Sequence, residues 1–356
     1  MSTAYSGNSG QPDKADKADK VVKEDKVVKT DKDSTGASAG SAAATATATE
    51  TATETREPAR TNSDGDNPFT DISSGRKFTN GFMGGLMWLA MILALIPLGW
   101  LLFTLVSRGI GPILDVDWWT EDMGGARTRA PGGGAAHAIV GTLVQTLIAS
   151  LFSIPIGVFT AIYLVEYSGG NRLGKLTTFM VDILSGVPSI VSALFIYALW
   201  ITILGQERSG FAVALSLILL MVPIVVRNTE EMLRVVPMDL REATYALGVP
   251  KWKTIVRIVL PTALSGIVTG IMLAVARVMG ESAPVLILVG STTKINWNPF
   301  EGGQQSLPLY MVDLYGAGSN EFVLERLWGS ALTLVLLVAI LMIGARLISK
   351  RYSVKV

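Results

Sequence analysis

From about residue 81 onward the chain alternates long apolar stretches with shorter polar ones. Six stretches stand out: 81–106, 138–165, 176–204, 211–226, 262–289 and 327–348. A helix needs about 20 apolar residues, within a range of about 17 to 25, to cross the hydrocarbon core of a bilayer. The pattern therefore predicts an all-α membrane protein with about six transmembrane helices. The fourth stretch is the shortest, and the third is long enough to tilt or break. Pro97, Pro155, Pro188, Pro223 and Pro284 fall inside them. Membrane helices tolerate proline where neighbours satisfy the freed carbonyls.

Residues 1–80 read differently. Residues 11–33 alternate Asp and Lys, with Val21-Val22-Lys23-Glu24-Asp25-Lys26 nearly repeated from Val27 to Lys32, and residues 34–54 are almost all Ser, Ala, Gly and Thr. Such composition buries too little apolar surface to offset ordering entropy, which predicts a disordered tail. A mixed-charge start with no apolar core in the first thirty residues does not fit a secretory signal. The tail is either a cytoplasmic interaction segment or a solvated extension. The division is thus a tail, 1–80, and a transmembrane domain, 81–356.

Composition narrows the chemistry. There is no cysteine and one histidine, His137. Disulfides, thiol nucleophiles, cysteinyl zinc and multi-histidine metal sites are excluded, and no cofactor is expected. A net charge of +1 offers no footprint for nucleic acid. Lys and Arg in the connections set the orientation. One side holds Arg76, Lys77, Arg172, Lys175, Arg227, Arg234, Arg241, Lys251, Lys253, Arg257, Arg346, Lys350, Arg351 and Lys355. The other holds Arg108, Arg127, Arg129, Arg208, Lys294 and Arg326. The balance, fourteen to six, puts both termini in the cytoplasm of a multi-pass plasma (inner) membrane protein. Trp118, Trp119 and Trp297 fall in the outer loops, as an interfacial belt or a docking surface.

The longest inner connection, 227–261, carries the most specific pattern. Pro237 and Pro250 stand where helices start, and Gly248 where one ends. The expectation is a helix over 238–247, a tight turn at Gly248 and a helix over 250–260. Leu240, Ala243, Tyr245 and Leu247 leave a small, mostly apolar surface suited to another protein's groove. Glu242-Ala243-Thr244, then Gly248, then Ile258-Val259-Leu260-Pro261 resembles the EAA loop of type I ABC importer permeases, the MetI-like transmembrane domains. Thr244 replaces the second alanine; the spacing otherwise matches. By this resemblance Glu242, Ala243, Gly248, Leu260 and Pro261 couple the chain to an ATP-binding cassette subunit. Residues 162–167, Gly186-Val187-Pro188-Ser189-Ile190-Val191 and Ala276-Arg277-Val278-Met279-Gly280-Glu281-Ser282-Ala283-Pro284 are similar to the PstA-type phosphate permeases, with Ser282 in place of the usual threonine. The likeness covers residues 80–356. It implies a permease bundle that moves inorganic phosphate, a second homologous permease subunit and an extracytoplasmic phosphate-binding protein.

Two charges fall inside the membrane. Arg277 lies fifteen residues into the fifth stretch, and Glu281 one turn on, so a continuous helix puts both on one face. A charge at mid-membrane costs about 2.5–3.5 kcal/mol on insertion scales and marks a pathway or a pair. Arg277 offers planar donors matched to phosphate oxygens. Glu281 repels a fully ionised oxyanion but accepts a hydrogen bond from a phosphate that keeps a proton. Arg277, Glu281, Ser282, Pro188 and Ser189 are the candidate pathway residues; the other reading is an Arg–Glu pair that locks packing. Gly186, Pro188 and Ser189 either break the third helix beside the path or only kink it. Asp182 is read as interfacial, or as capping or hydrating a vestibule, and His137 as an interfacial residue.

Gly169-Gly170-Asn171-Arg172-Leu173-Gly174-Lys175 imitates a phosphate-binding P-loop, but Leu176 stands where Ser or Thr should hold magnesium, and no strand precedes it. The energy for transport is therefore expected from a partner. The chain is read as a non-enzymatic transport subunit. The alternatives are a permease for sulfate or molybdate, an intramembrane enzyme built on Arg277, Glu281 and Asp182, and a membrane scaffold. No nucleophile–base spacing supports the enzyme.

Overall fold

The computed structural model describes residues 74–352. The tail reading for residues 1–73 lies outside the described residues; 74–80, assigned to the tail from sequence, form the opening turns of the first helix.

Among the described residues twelve α-helices follow in order: α1 (Ser74–Leu114), α2 (Val116–Thr120), α3 (Ala136–Ile162), α4 (Arg172–Ser185), α5 (Ser189–Ile196), α6 (Gly210–Val235), α7 (Met238–Ala246), α8 (Lys251–Thr254), α9 (Leu260–Met279), α10 (Ala283–Leu288), α11 (Leu307–Ala317) and α12 (Glu321–Tyr352). π turns extend α3 over Tyr163–Tyr167 and α5 over Tyr197–Ile203, and join α8 to α9 over Ile255–Val259. Five helices among the described residues are long and apolar enough to span a bilayer. The bent pair Arg172–Ser185 and Ser189–Ile203, counted as one span, makes six.

The elements differ from the sequence expectation in ways that have local causes. The first span is a 41-residue helix, about 60 Å long at 1.5 Å per residue, roughly twice the bilayer core. The fourth does not stop at residue 226 but runs on to Val235. The helix expected over 250–260 continues through Pro261 into the fifth span, Lys251–Met279. Proline within a helix removes a hydrogen bond and its ring crowds the preceding turn. Here the turn just before it is the wide Ile255–Val259 π turn, which leaves room for the ring.

α6 is the hub, with more than half of its apolar stretch buried. It packs against α3, α5 and α9, and the main core joins these helices through Ala149, Ile196, Leu217, Met221, Val225 and Ala274. α9 approaches α6 through Gly266 and Gly270, which sit on Met232 and Asn228 with no space for a Cβ. This is the small-xxx-small contact by which membrane helices gain close packing. α1 and α12 pack on each other and leave most of their apolar surface outward, as lipid requires.

The end that carries residues 163–175 and 227–261 is called inner, following the charge distribution; the opposite end is outer. The outer end is a knit of loops. Arg326 is only 6% exposed and donates to the carbonyls of Thr128, Ala130 and Gly132, each at 2.6 Å. Arg129 donates to the Ala317 carbonyl at 3.1 and 2.7 Å. Asp122 accepts from the amides of Gly124 (2.9 Å) and Ile295 (3.1 Å). Two aromatic assignments change here. Trp118 is buried and donates to Thr333 at 2.9 Å, so it is a core residue under the loops and no part of a belt. His137 is buried edge-on to Tyr310 because α3 begins beneath these loops. Trp297, 71% exposed, remains at the surface.

Candidate functional site

The third span breaks because its sequence gives the backbone no way to continue. Proline lacks an amide proton and pushes the preceding residue out of the helical region. α4 ends at Ser185, Gly186 closes it, and Pro188, at φ −61° and ψ 142°, becomes the residue from which α5 starts. The two axes meet at 105°. This decides for a break over a kink.

The fifth span breaks as well. α9 stops at Met279; Gly280 donates to the Arg277 carbonyl and Glu281 to that of Val278, both at 3.1 Å. Pro284 then opens α10. Glu281 therefore stands past the helix end, and the one-turn spacing that would stack it on Arg277 does not apply. No ion pair joins Arg277 and Glu281 among the described residues.

The two breaks face each other. α5 packs on α10, and beneath them lies a cavity of about 140 Å³, room for roughly four or five waters or one small anion. Its walls are Pro188 and Ser189 from the first break, Arg277 and Glu281 from the second, Leu220 and Ile224 from α6, and Leu184, Ser185 and Val187 from the end of α4. Four of the five candidate pathway residues thus meet at one place. The fifth, Ser282, is half-buried at the start of α10 and is not in the lining. Irregular backbone at membrane depth is stable only where it is buried in protein or lines a polar cavity. The N-terminal end of α5, the positive end of its peptide dipoles, borders this space, and Arg277 adds a full charge.

Toward the inner end, a charge chain links α4 to α6. Arg227 pairs with Asp182 and, at 2.8 Å, with Glu230. Glu230, whose side chain is nearly inaccessible, also takes Arg234 at 2.5 Å. Asp182 is thus neither a cap nor a free vestibule acid. From sequence, Arg227 and Arg234 register only as topogenic charges. The signal available was the spacing of Arg227, Glu230 and Arg234 at three and four residues on one helix face.

The 227–261 segment folds as its prolines and glycine dictate. α7 ends at Ala246, and Gly248 has φ 74°, a conformation that a side chain resists. A Cβ there would meet only open space within this chain, so the requirement is for the backbone angle. Glu242, Ala243, Tyr245 and Leu247 are exposed, the last by 81%, and Trp252 adds to this surface from α8; Leu260 and Pro261 are half-buried where the helix enters the bundle. Thr244 turns inward instead, and its hydroxyl lies 3.1 Å from that of Thr254, tying α7 to α8. The P-loop-like residues form a turn and the opening of α4: Gly169 and Gly170 take positive φ, and Asn171 caps α4 through the Gly174 amide at 2.7 Å.

Comparison with known proteins adds to this geometry. Residues 153–354 match the family model described as binding-protein-dependent transport system inner membrane component. The phosphate transport system permease protein PstA of Mycobacterium leprae is 51% identical, over 75% of this chain and 88% of that protein. PstA 1 of Mycobacterium tuberculosis (strain H37Rv) is 50% identical over 79% and 90%, and PstA of Haemophilus influenzae 39% over 76% and 94%. Among solved structures, a bacterial alginate ABC transporter in complex with a pentasaccharide-bound periplasmic protein aligns with TM-score 0.53 at 14% identity. It covers 77% of this chain and 95% of that one, a likeness of fold alone.

Proposed function

Because the chain belongs to the PstA family of phosphate transport permeases, we propose that it is the membrane-spanning subunit of an ATP-driven importer of inorganic phosphate. It is a multi-pass inner-membrane transport subunit and not an enzyme. The observation that carries the reading is the convergence of two broken spans on one cavity with Arg277 and Glu281 in its wall. Broken helices offer their dipoles and unpaired backbone groups to an ion at mid-membrane without exposing them to lipid. Among the described residues Arg277 has no carboxylate partner, so its donors are available to an anion. Glu281 accepts from a phosphate that keeps a proton and disfavours a fully ionised oxyanion.

The remaining parts of the machine follow from the same reading. The exposed face of α7 and α8, with Glu242, Ala243 and Gly248, docks an ATP-binding cassette subunit. Both termini lie in the cytoplasm with it. A second homologous permease completes the pathway, and an extracytoplasmic phosphate-binding protein delivers the ion at the outer loops.

The test is labelled phosphate uptake by the assembled complex, normalised to its amount, for the wild type, Arg277→Gln, Glu281→Gln and the double variant. Loss of a charge-assisted contact worth about 1.5–3 kcal/mol corresponds to a fall of about ten- to a hundredfold. Arg277→Gln should lose that much with assembly unchanged, and the double variant should not recover. Near-normal uptake in the double variant would show that the two charges only balance each other. Labelled sulfate, moved as well as phosphate by the wild type, would refute the substrate.

A further inference from the structure

Arg241 stands one residue before Glu242 but on the buried side of α7, beside Thr244. Its guanidinium reaches two other helices. Nε and Nη2 both lie 3.1 Å from Oε1 of Glu166, in the π turn that ends α3. Nη1 donates to the carbonyl of Val236 at 2.9 Å, and Nη2 to that of Leu233 at 2.8 Å. Both are acceptors that the end of α6 leaves unpaired. The side chains of Arg241 and Glu166 are 9% and 5% exposed.

A second tie reaches the same turn from α8. Lys251 Nζ donates to the backbone carbonyl of Glu166 and sits 5.1 Å from the centre of the Tyr167 ring. With the Thr244–Thr254 contact, α7 and α8 form one piece fastened to residues 166–167. Apolar packing alone would hold α7 near α3 but leave it able to slide and roll. A planar guanidinium with three fixed acceptors sets distance, rotation and register together. The buried pair is costly to desolvate and a weak source of net stability, which suits a device that fixes geometry.

The contact continues to the cavity. α3 lies along α6, with Gly157 seated on Val225 so closely that no Cβ would fit. One residue before Val225 is Ile224, in the cavity wall. The geometry points to Glu166 and Arg241 as positioning residues that make α7 and the inner end of α3 one body. A displacement of α7 by the ATPase is then passed through α3 and α6 to the pathway. This rests on the proposed docking of an ATP-binding subunit on α7.

The experiment uses the whole complex in proteoliposomes, with Glu166→Gln and Arg241→Lys. Lysine keeps the charge but cannot bridge the three acceptors. Phosphate uptake and ATP hydrolysis are measured together. Spin labels at Phe159→Cys on α3 and Asp239→Cys on α7, both exposed positions, report the distance between the two elements; the chain has no other cysteine. Both variants should assemble and hydrolyse ATP within about twofold of the wild type, while phosphate moved per ATP falls about tenfold, a typical site-to-site coupling. The label distance, narrow in the wild type in every nucleotide state, should broaden and become nucleotide-dependent. An unchanged phosphate-to-ATP ratio in both variants, including a parallel fall of both rates, overturns the inference. So does an unchanged distance distribution, or failure of both variants to assemble, which would assign the pair to folding. A wild-type complex that moves no phosphate refutes the substrate instead, and the label distances then decide this inference alone.

Discussion

The outer rim and the α4–α6 charge chain use arginine in opposite ways. At the outer end Arg326 and Arg129 spend their donors on backbone carbonyls of residues 128–132 and 317. In the charge chain Arg227 and Arg234 are paired with the side chains of Asp182 and Glu230. A carbonyl is neutral and fixed in the chain, so an arginine held by three of them has no alternative partner nearby. A carboxylate sits on rotatable bonds and can be shared, as Glu230 is between two arginines. The outer rim is therefore built as a fixed frame, and the α4–α6 charge chain as a network able to change partners without leaving a charge uncovered.

Three substitutions would break or sharpen this contrast. The largest effect is expected from Arg326→Met. It removes a buried cation and strips three carbonyls of their donor at once, at about 3–5 kcal/mol, comparable with breaking a buried pair. Thermal unfolding of the purified protein should shift down, with hydrogen exchange rising first in residues 121–134. Stability equal to the wild type would mean the rim is not framed by this residue. Glu230→Gln should cost less, about 1–3 kcal/mol, because Arg227 keeps Asp182 and Arg234 is largely solvated. Its loss should shrink as salt is raised, whereas that of Arg326→Met should be insensitive to salt. Identical salt responses would erase the distinction between rim and charge chain.

The smallest effect concerns Asp122. Hydrogen bonds from the amides of Gly124 and Ile295 hold its carboxyl below the ordinary value of 3.8. A depressed folded-state pKa means that the ionised form favours the folded loop. Its contribution is complete above the unfolded pKa and is lost as pH falls through the lower, folded one. In Asp122→Asn the outer loops should exchange amide protons slightly faster at neutral pH. Below about pH 4 the difference from wild type should narrow, as the wild-type carboxyl protonates. A difference that persists unchanged at acid pH would assign the effect to shape and not to charge.

Much of this was legible before any coordinates. Spans declare themselves by apolar length, and Pro237, Gly248 and Pro250 mark the 227–261 turn because each restricts the backbone locally. Pro188 marked the break of the third span for the same reason. What stayed hidden depended on distance or on phase. Glu166 and Arg241 are 75 residues apart, and nothing in either neighbourhood announces the other. Glu281 was misplaced on a helix face because Gly280 ends the helix first. The reach of α1 and of α6 past the apolar stretches was missed because polar residues at a membrane surface continue a helix as readily as they end one. The cavity itself is the product of two breaks, 188 and 280, that only the packing of α5 on α10 brings together.

The π turn at the end of α3 has a consequence of its own. A π turn inserts one residue into an otherwise regular helix, and one residue is about 100° of rotation about the axis. Tyr163–Tyr167 thus works like a clock reset by a fixed offset: everything before it keeps one hour and everything after it another. Glu166 can face Arg241 while Gly157, two turns earlier, still faces Val225. Removing a single residue from this turn would leave the same letters in the same order yet point the carboxylate away from its partner. Chain length at this point sets which side of α3 the carboxylate takes.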